Sequence, residues 1–343
     1  VGGCPIFSKF AVIIKDKPDG SVKYRIIMDS KESGATDASA NQYKSVLPRQ
    51  PDLVADTLAL LACARYAEAV ELLVLDAKDA YWQVPLHPDE RKYYCAQLVG
   101  ADGRKRHLAF TRTAQGSVGA PLAWSIVFGL VCGLMLGVLH CPIVPASERL
   151  EVYVDDPVLA LRGTPETRQA TAALAMLAWA VLGIDLAIRK GQLSTTVNWI
   201  GASFTVDPTG VIAQIQPQRV EELRSLARSI SSSNFVRIRD LRTYIGKAQS
   251  FASLLYTWRP FVHMFYAAIG TCATGAAPAG YRWVKQIIQP LDWVIAFLEG
   301  TQGDLVRRFS LETYLRRGIR IVITTDASPY GLGGVLQVDG EIR

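Results

Sequence analysis

No formally charged residue lies between Arg112 and Glu148, and inside that interval residues 118–139 read VGAPLAWSIVFGLVCGLMLGVL. An apolar run of this length can span a bilayer, so its setting constrains the fold more than any other segment. A helix packed behind a sheet is apolar all round for the same reason a membrane helix is. Pro121 near the start, frequent glycine and closely flanking polar motifs weigh against a membrane span, and the context has to decide between the two.

The remainder of the 343 residues supports real cores. Half of the chain is hydrophobic and a fifth is charged, which excludes a wholly disordered polypeptide. About two domains are expected at roughly 150 residues each. The six cysteines form no CxxC pair and the four histidines no HExxH spacing. Neither a disulfide framework nor a zinc site is indicated, and a reducing compartment fits best. The opening VGGCPIFSKF has no signal-peptide pattern and no starting Met, so the chain is expected to be a fragment of a longer one. The net charge of +6 concentrates in residues 206–320, which hold 15 Lys/Arg against 8 Asp/Glu. That excess, mostly arginine, suits a phosphate-bearing partner, although a solvated helical face has the same composition.

The patterning predicts strands at 10–14 and 24–28 around the turn KDKPDGSVK, then a helix over 51–69. A strand ending in a carboxylate follows at LLVLD, and another strand pair at 93–98 and 106–111. Residues 150–162 read as a tight hairpin about Asp-Asp-Pro, and 165–183 as a helix. Strands at 197–206 and 210–216 precede helices at 217–232, 238–256 and 258–269. Residues 270–280 read as a linker and 319–325 as a further strand. Strands and helices mix without strict βαβ alternation, so the fold class is α+β.

Two places carry unusual chemistry. Asp76 ends the strand LLVL, and Asp155 and Asp156 sit at the tip of VYVDDPVL. Carboxylates at the mouth of a sheet are costly unless neutralised, and two adjacent ones repel each other. Oxygen donors without nearby His or Cys select hard ions, Mg²⁺ or Mn²⁺. Two such ions are an apparatus for in-line phosphoryl displacement. Asp-Asp-Pro is also a good turn sequence in its own right.

In order, LDAKDAYWQVPLHPDE, AQGSVGAPLAW, YVDD and VNWIGASF resemble motifs A, B, C and E of retroelement reverse transcriptases. KDKPDGSVKYRIIMD is similar to the fingers hairpin of that family, and LRTYIGKAQSFASLLYTWRPFVHMFYAAI to its thumb or connection helices. ITTDASPYGLGGVLQ resembles the first strand of the attached ribonuclease H domain. The resemblance implies a right-hand polymerase: fingers and palm over 1–205, thumb or connection helices over 206–275, and a linker or connection over 276–318. It also implies a truncated ribonuclease H-like strand pair over 319–343. The activity it implies is RNA-directed DNA synthesis from deoxynucleoside triphosphates on a primed RNA or DNA template. The setting it implies is intracellular: cytoplasmic, nuclear or particle-associated, with no membrane.

Carried over residue by residue, Asp76 and Asp155 would ligate two Mg²⁺ or Mn²⁺ ions, with Asp156 in support and the Ala77 carbonyl a further candidate ligand. Tyr81 would exclude a ribose 2′-OH and Ala80 would admit the sugar. Gln115 and Gly116 would contact the incoming nucleotide, as would Arg25 and Lys17 (with Lys15 the alternative) through its triphosphate. Lys190 would serve as a general acid for pyrophosphate. Trp199 and Gly201 would lie in the primer grip, and Arg237, Arg239, Arg242 and Arg259 would hold the template–primer backbone. Asp326 is the one carboxylate of the ribonuclease H set within the chain, so that nuclease is expected to be inactive. Two positions depart from the family pattern: Ala114 where proline is common, and Pro157 after YVDD. The competing reading is a degenerate or domesticated copy that binds nucleic acid without synthesis.

Overall fold

The computed structural model describes residues 4–16, 20–39, 43–140, 146–270 and 277–343. The chain opens with strands β1 (Phe7–Asp16) and β2 (Val22–Asp29), helix α1 (Gln50–Ala62) and strand β3 (Ala69–Val74). Strands β4 (Cys95–Val99) and β5 (Lys105–Ala109) precede helix α2 (Ala120–Leu139), the hairpin β6 (Glu148–Tyr153) and β7 (Asp156–Gly163), and helix α3 (Pro165–Val181). Next come β8 (Gln192–Ser194), β9 (Thr196–Trp199), β10 (Ala202–Asp207), β11 (Gly210–Ile215) and α4 (Pro217–Ser231). They are followed by β12 (Phe235–Arg237), α5 (Ile238–Leu254), α6 (Arg259–Gly270), β13 (Tyr281–Trp283) and α7 (Ile288–Leu298). The chain closes with β14 (Val306–Ser310), α8 (Leu311–Tyr314), β15 (Ile321–Ser328), β16 (Gly331–Val338) and β17 (Glu341–Ile342). The mixture of helix and strand bears out the α+β class.

The chain divides into two compact units, each assembled from separated segments. The first takes residues 1–48, 73–159 and 166–192; the second takes 49–72, 160–165 and 193–343.

In the first unit β1 and β2 form a long antiparallel hairpin that joins β4 and β5 in the order β2-β1-β4-β5. Its register pairs Lys15 with Lys23 and Ile13 with Arg25. Side chains alternate along a strand, so Lys15, Lys23 and Arg25 share one face. Another four-stranded sheet, not confined to the first unit, runs β6-β7-β3-β8. Within β7 every residue from Pro157 to Gly163 is buried, as befits an inner strand that is apolar from Pro157 to Leu161.

Helix α2 buries one stripe, Trp124, Phe128, Cys132 and Met135, spaced at roughly one helical turn. Phe128 lies 6.4 Å from Trp179 of α3 and stacks on Trp124 at 4.7 Å. Each such aromatic contributes about 1.5–3 kcal/mol by leaving water. The opposite stripe, Ile126, Leu130, Leu134 and Val138, is apolar and exposed. Apolar composition all round has therefore not produced burial all round. By length and composition α2 is also able to cross a membrane.

In the second unit a sheet ordered β14-β11-β10-β9 packs on α1 through β11, α1 packs on α5, and α5 on α4 and α6. Residues 276–318 supply β14, the outer partner of β11, and α7, whose Trp293 stacks on Phe261 of α6 at 3.7 Å.

Three sequence expectations are corrected here. The helix predicted over 51–69 stops at Ala62. The buried guanidinium of Arg162 donates to the Cys63 carbonyl at 2.7 Å and pairs with Glu68 at 2.8 Å, and Ala67 takes a φ of 71° that no helix continues. The single strand expected over 197–206 is a hairpin, with Ala202 pairing back on Trp199 about a turn at Ile200 (φ 38°) and Gly201 (φ 87°). At the C-terminus the expected strand pair is a three-stranded meander, β15-β16-β17. Of the predicted linker 270–280, residues 271–276 lie outside the described residues.

Candidate active site

The acidic cluster is built by two backbone hydrogen bonds that flank it. Leu75 N–H donates to the Pro157 carbonyl (3.1 Å) and Ala77 N–H to the Asp155 carbonyl (2.7 Å). The pairing is antiparallel, so Asp76 falls opposite Asp156, on one face, with Asp155 adjacent. Pro157 supplies only its carbonyl here, because proline has no N–H to return. The β6–β7 turn is tight enough to force Val154 to φ 57°, an unfavourable conformation for a β-branched residue. The Trp124 indole N–H, donating to the Val154 carbonyl at 2.7 Å, holds it there.

Electrostatics records the crowding. Burial raises the Asp155 carboxyl above its usual range, and the Asp76 charge adds to the shift. Burial, then Asp155 and Asp76, push the Asp156 carboxyl up to about 6. A backbone hydrogen bond, then Arg25 and Lys23 of β2, oppose the shift at Asp155, and Lys190 opposes it at Asp156. Lys190 Nζ also pairs with Asp76 Oδ2 at 2.7 Å. Sequence reasoning missed Lys23. The strand alternation that places it beside Arg25 was visible in VKYR, but its reach to Asp155 depends on the hairpin register. Lys17 lies outside the described residues.

Ala80 is buried, and the Tyr81 phenol is raised by burial and then by Asp155. The Gln115 carbonyl accepts Met28 N–H at 2.8 Å. Gly116, at φ 102°, lies so close that a Cβ there would stand 2.3 Å from the Met28 carbonyl oxygen. Its glycine is therefore demanded by the approach of β2. Ala114 is fully buried.

The Trp199–Gly201 turn belongs to the second unit. Trp199 is a core residue there, packed near Phe204. A Cβ on Gly201 would meet Arg219 Nη1 at 2.1 Å. The Ile200 carbonyl accepts the buried Gln50 amide at 3.3 Å, and Gln50 Oε1 in turn accepts the Ser253 hydroxyl. Asp326 is exposed on β15 opposite Gly333, and its carboxylate accepts its own neighbour's N–H, that of Ala327, at 2.8 Å.

Among the described residues no three His, Cys, Asp or Glu side chains converge as a ready-made metal cage. The donor chemistry of Asp76 and Asp155 nonetheless fits a hard divalent ion. The Asp76 charge acts directly on Asp155, and Mg²⁺ commonly takes one or two carboxylates, completing its shell with water and substrate phosphate. Acidic oxygens facing the basic strand β2 can accommodate a cation together with a polyphosphate.

That combination is the chemistry of a nucleotidyltransferase. The family model for reverse transcriptase (RNA-dependent DNA polymerase) matches residues 14–204, more than half of the chain. The chain belongs to the reverse transcriptase family, as its motifs lead one to expect. No curated protein matches it.

Proposed function

We propose that the chain is the RNA-directed DNA polymerase region of a retroelement polyprotein, extending a primer 3′ end with deoxynucleotides by two-metal phosphoryl transfer. The observation that carries this reading is the placement of Asp76 opposite Asp156 and beside Asp155, with the carboxyls of both hairpin-tip residues raised by burial and then by the neighbouring carboxylates.

Asp76 and Asp155 would hold the ions, and Asp156 would support them. The ions supply a lowered pKa at the primer hydroxyl and neutralise the leaving oxygen. The chain's own groups bind and orient. Arg25, with Lys23 and Lys17, would receive the triphosphate. Tyr81 would close the sugar pocket to a 2′-OH, with Ala80 beneath the sugar. Gln115 and Gly116, pinned to β2, would border the base. Lys190 would donate a proton to the departing pyrophosphate. The Trp199–Gly201 turn would seat the primer end. The arginines of α5 and its flanks (Arg237, Arg239, Arg242 and Arg259) would neutralise template–primer phosphates.

In this reading residues 1–205 are fingers and palm, 206–275 thumb or connection, 276–318 a linking segment, and 319–343 the start of a ribonuclease H-like domain. The protein acts inside the cell. The test is primer extension on an RNA template with Mg²⁺, comparing the chain with Asp155→Asn. Equal extension by both, or none by a folded wild-type chain, overturns the reading; retained template binding without synthesis would mark a binding module instead.

A further inference from the structure

The backbone leading to Lys190 is latched to the Asp76 loop by one side-chain amide. Gln83 Oε1 accepts Asp185 N–H at 3.0 Å, while its Nε2 donates to the carbonyls of Asp185 (3.1 Å) and Lys78 (2.6 Å). An amide that pairs with both backbone groups of one residue imitates a strand neighbour. Around it, Lys78 N–H donates to the Asp185 carbonyl (2.8 Å), Ala187 N–H to the Asp76 carbonyl (2.8 Å), and Lys78 Nζ pairs with the Asp185 carboxylate (3.1 Å). Arg112 fixes Gln83 from the other side, donating to its carbonyl at 2.7 Å. A short 3₁₀ turn, Ile188–Lys190, then delivers the ammonium to Asp76 Oδ2 at 2.7 Å.

An ammonium in contact with that oxygen repels any ion arriving at the same carboxylate. We propose that Lys190 is the resident counter-cation of Asp76, seated there by Gln83, and that a divalent ion must displace it to bind. This rests on the reading of Asp76 as a metal ligand. Once displaced, Lys190 needs a new anion, and a nucleotide's phosphates provide one. Metal uptake is thereby coupled to nucleotide arrival, and Gln83 is a positioning residue acting through Lys190.

The test is Mn²⁺ binding to the whole chain, without nucleic acid or nucleotide, followed by titration calorimetry. Lys190→Met should tighten Mn²⁺ about two- to fivefold, the scale of a part-exposed ion pair; here the Lys190 and Asp76 side chains are 65% and 31% exposed. Gln83→Leu should tighten it in the same direction, and the double variant should match Lys190→Met alone. Lys190→Arg should keep the wild-type affinity. Unchanged or weaker binding in Lys190→Met, additive effects in the double variant, or no Mn²⁺ bound by any variant overturns the proposal. Lys190 is largely exposed, so its replacement tests the idea even if Gln83→Leu fails to fold. A wild-type Mn²⁺ affinity in Asp76→Asn instead removes the underlying assignment of Asp76 as a ligand.

Discussion

The Trp124 indole N–H reaches the carbonyl of Val154, 30 residues away, at 2.7 Å, and so fixes the turn that carries Asp155. Val154 is held at φ 57°, a conformation that persists only where neighbours over-determine it. Trp124→Phe keeps most of the packing and removes the donor. It should cost about 1–3 kcal/mol, the scale of an unsatisfied buried carbonyl, read as a lower chemical-denaturation midpoint. Primer extension should fall more steeply than that loss of stability accounts for.

The acidic cluster sets the response to pH. Asp156 has a folded pKa of about 6 against an ordinary 3.8, so the native chain binds protons more tightly than the unfolded one in that interval. Stability should therefore fall as pH rises from about 4 to about 6 and level off above. Asp156→Asn should flatten that slope and raise the melting temperature at pH 7.5, while primer extension drops. A melting temperature that rises with pH across the same window would contradict this electrostatic account.

Gly116 has no room for a side chain. A Cβ there meets the Met28 carbonyl at 2.3 Å, and φ is 102°. Gly116→Ala should destabilise by at least about 1–3 kcal/mol through backbone strain and displacement of β2. Gly129 of α2, where an added Cβ meets nothing within 4 Å, is the control. Gly129→Ala should be neutral or stabilising by about 0.5–1 kcal/mol, with both variants compared by thermal melting.

The Ile200 turn stores strain on a β-branched residue at φ 38°. Ile200→Asn should relieve it and stabilise by about 1 kcal/mol, since asparagine tolerates the left-handed region. Gln50→Leu, which strands the Ile200 carbonyl and leaves the Ser253 hydroxyl only its bond to the Ser250 carbonyl, should cost about 1–3 kcal/mol. Denaturant unfolding of the two variants gives opposite signs if the hydrogen-bond network is what holds the turn.

Tyr81 borders the acidic cluster closely enough for Asp155 to raise its phenol. Tyr81→Ala should open the sugar pocket and raise incorporation of ribonucleotides relative to deoxynucleotides. Competitive extension with both nucleotide types reads this directly, and an unchanged ratio would remove Tyr81 from the specificity role.

Local sequence determined a good deal. LLVLD and VYVDDPVL each announce a buried strand ending in carboxylate, because apolar runs and turn residues act over a few positions. The order of the motifs identified the family, and the hairpin and most helices were legible from periodicity. What the tertiary structure decided are relationships between distant segments. The sequence could not show that Asp76 faces Asp156, since that depends on pairing register, nor that Gln83 ties down the backbone before Lys190. The end of α1 at Ala62 is likewise set by Arg162, 100 residues downstream in number but adjacent in space. The exposed side of α2 could not be read from a helix whose faces are equally apolar. Propensity is short-range, whereas burial, charge pairing and backbone satisfaction depend on which elements meet.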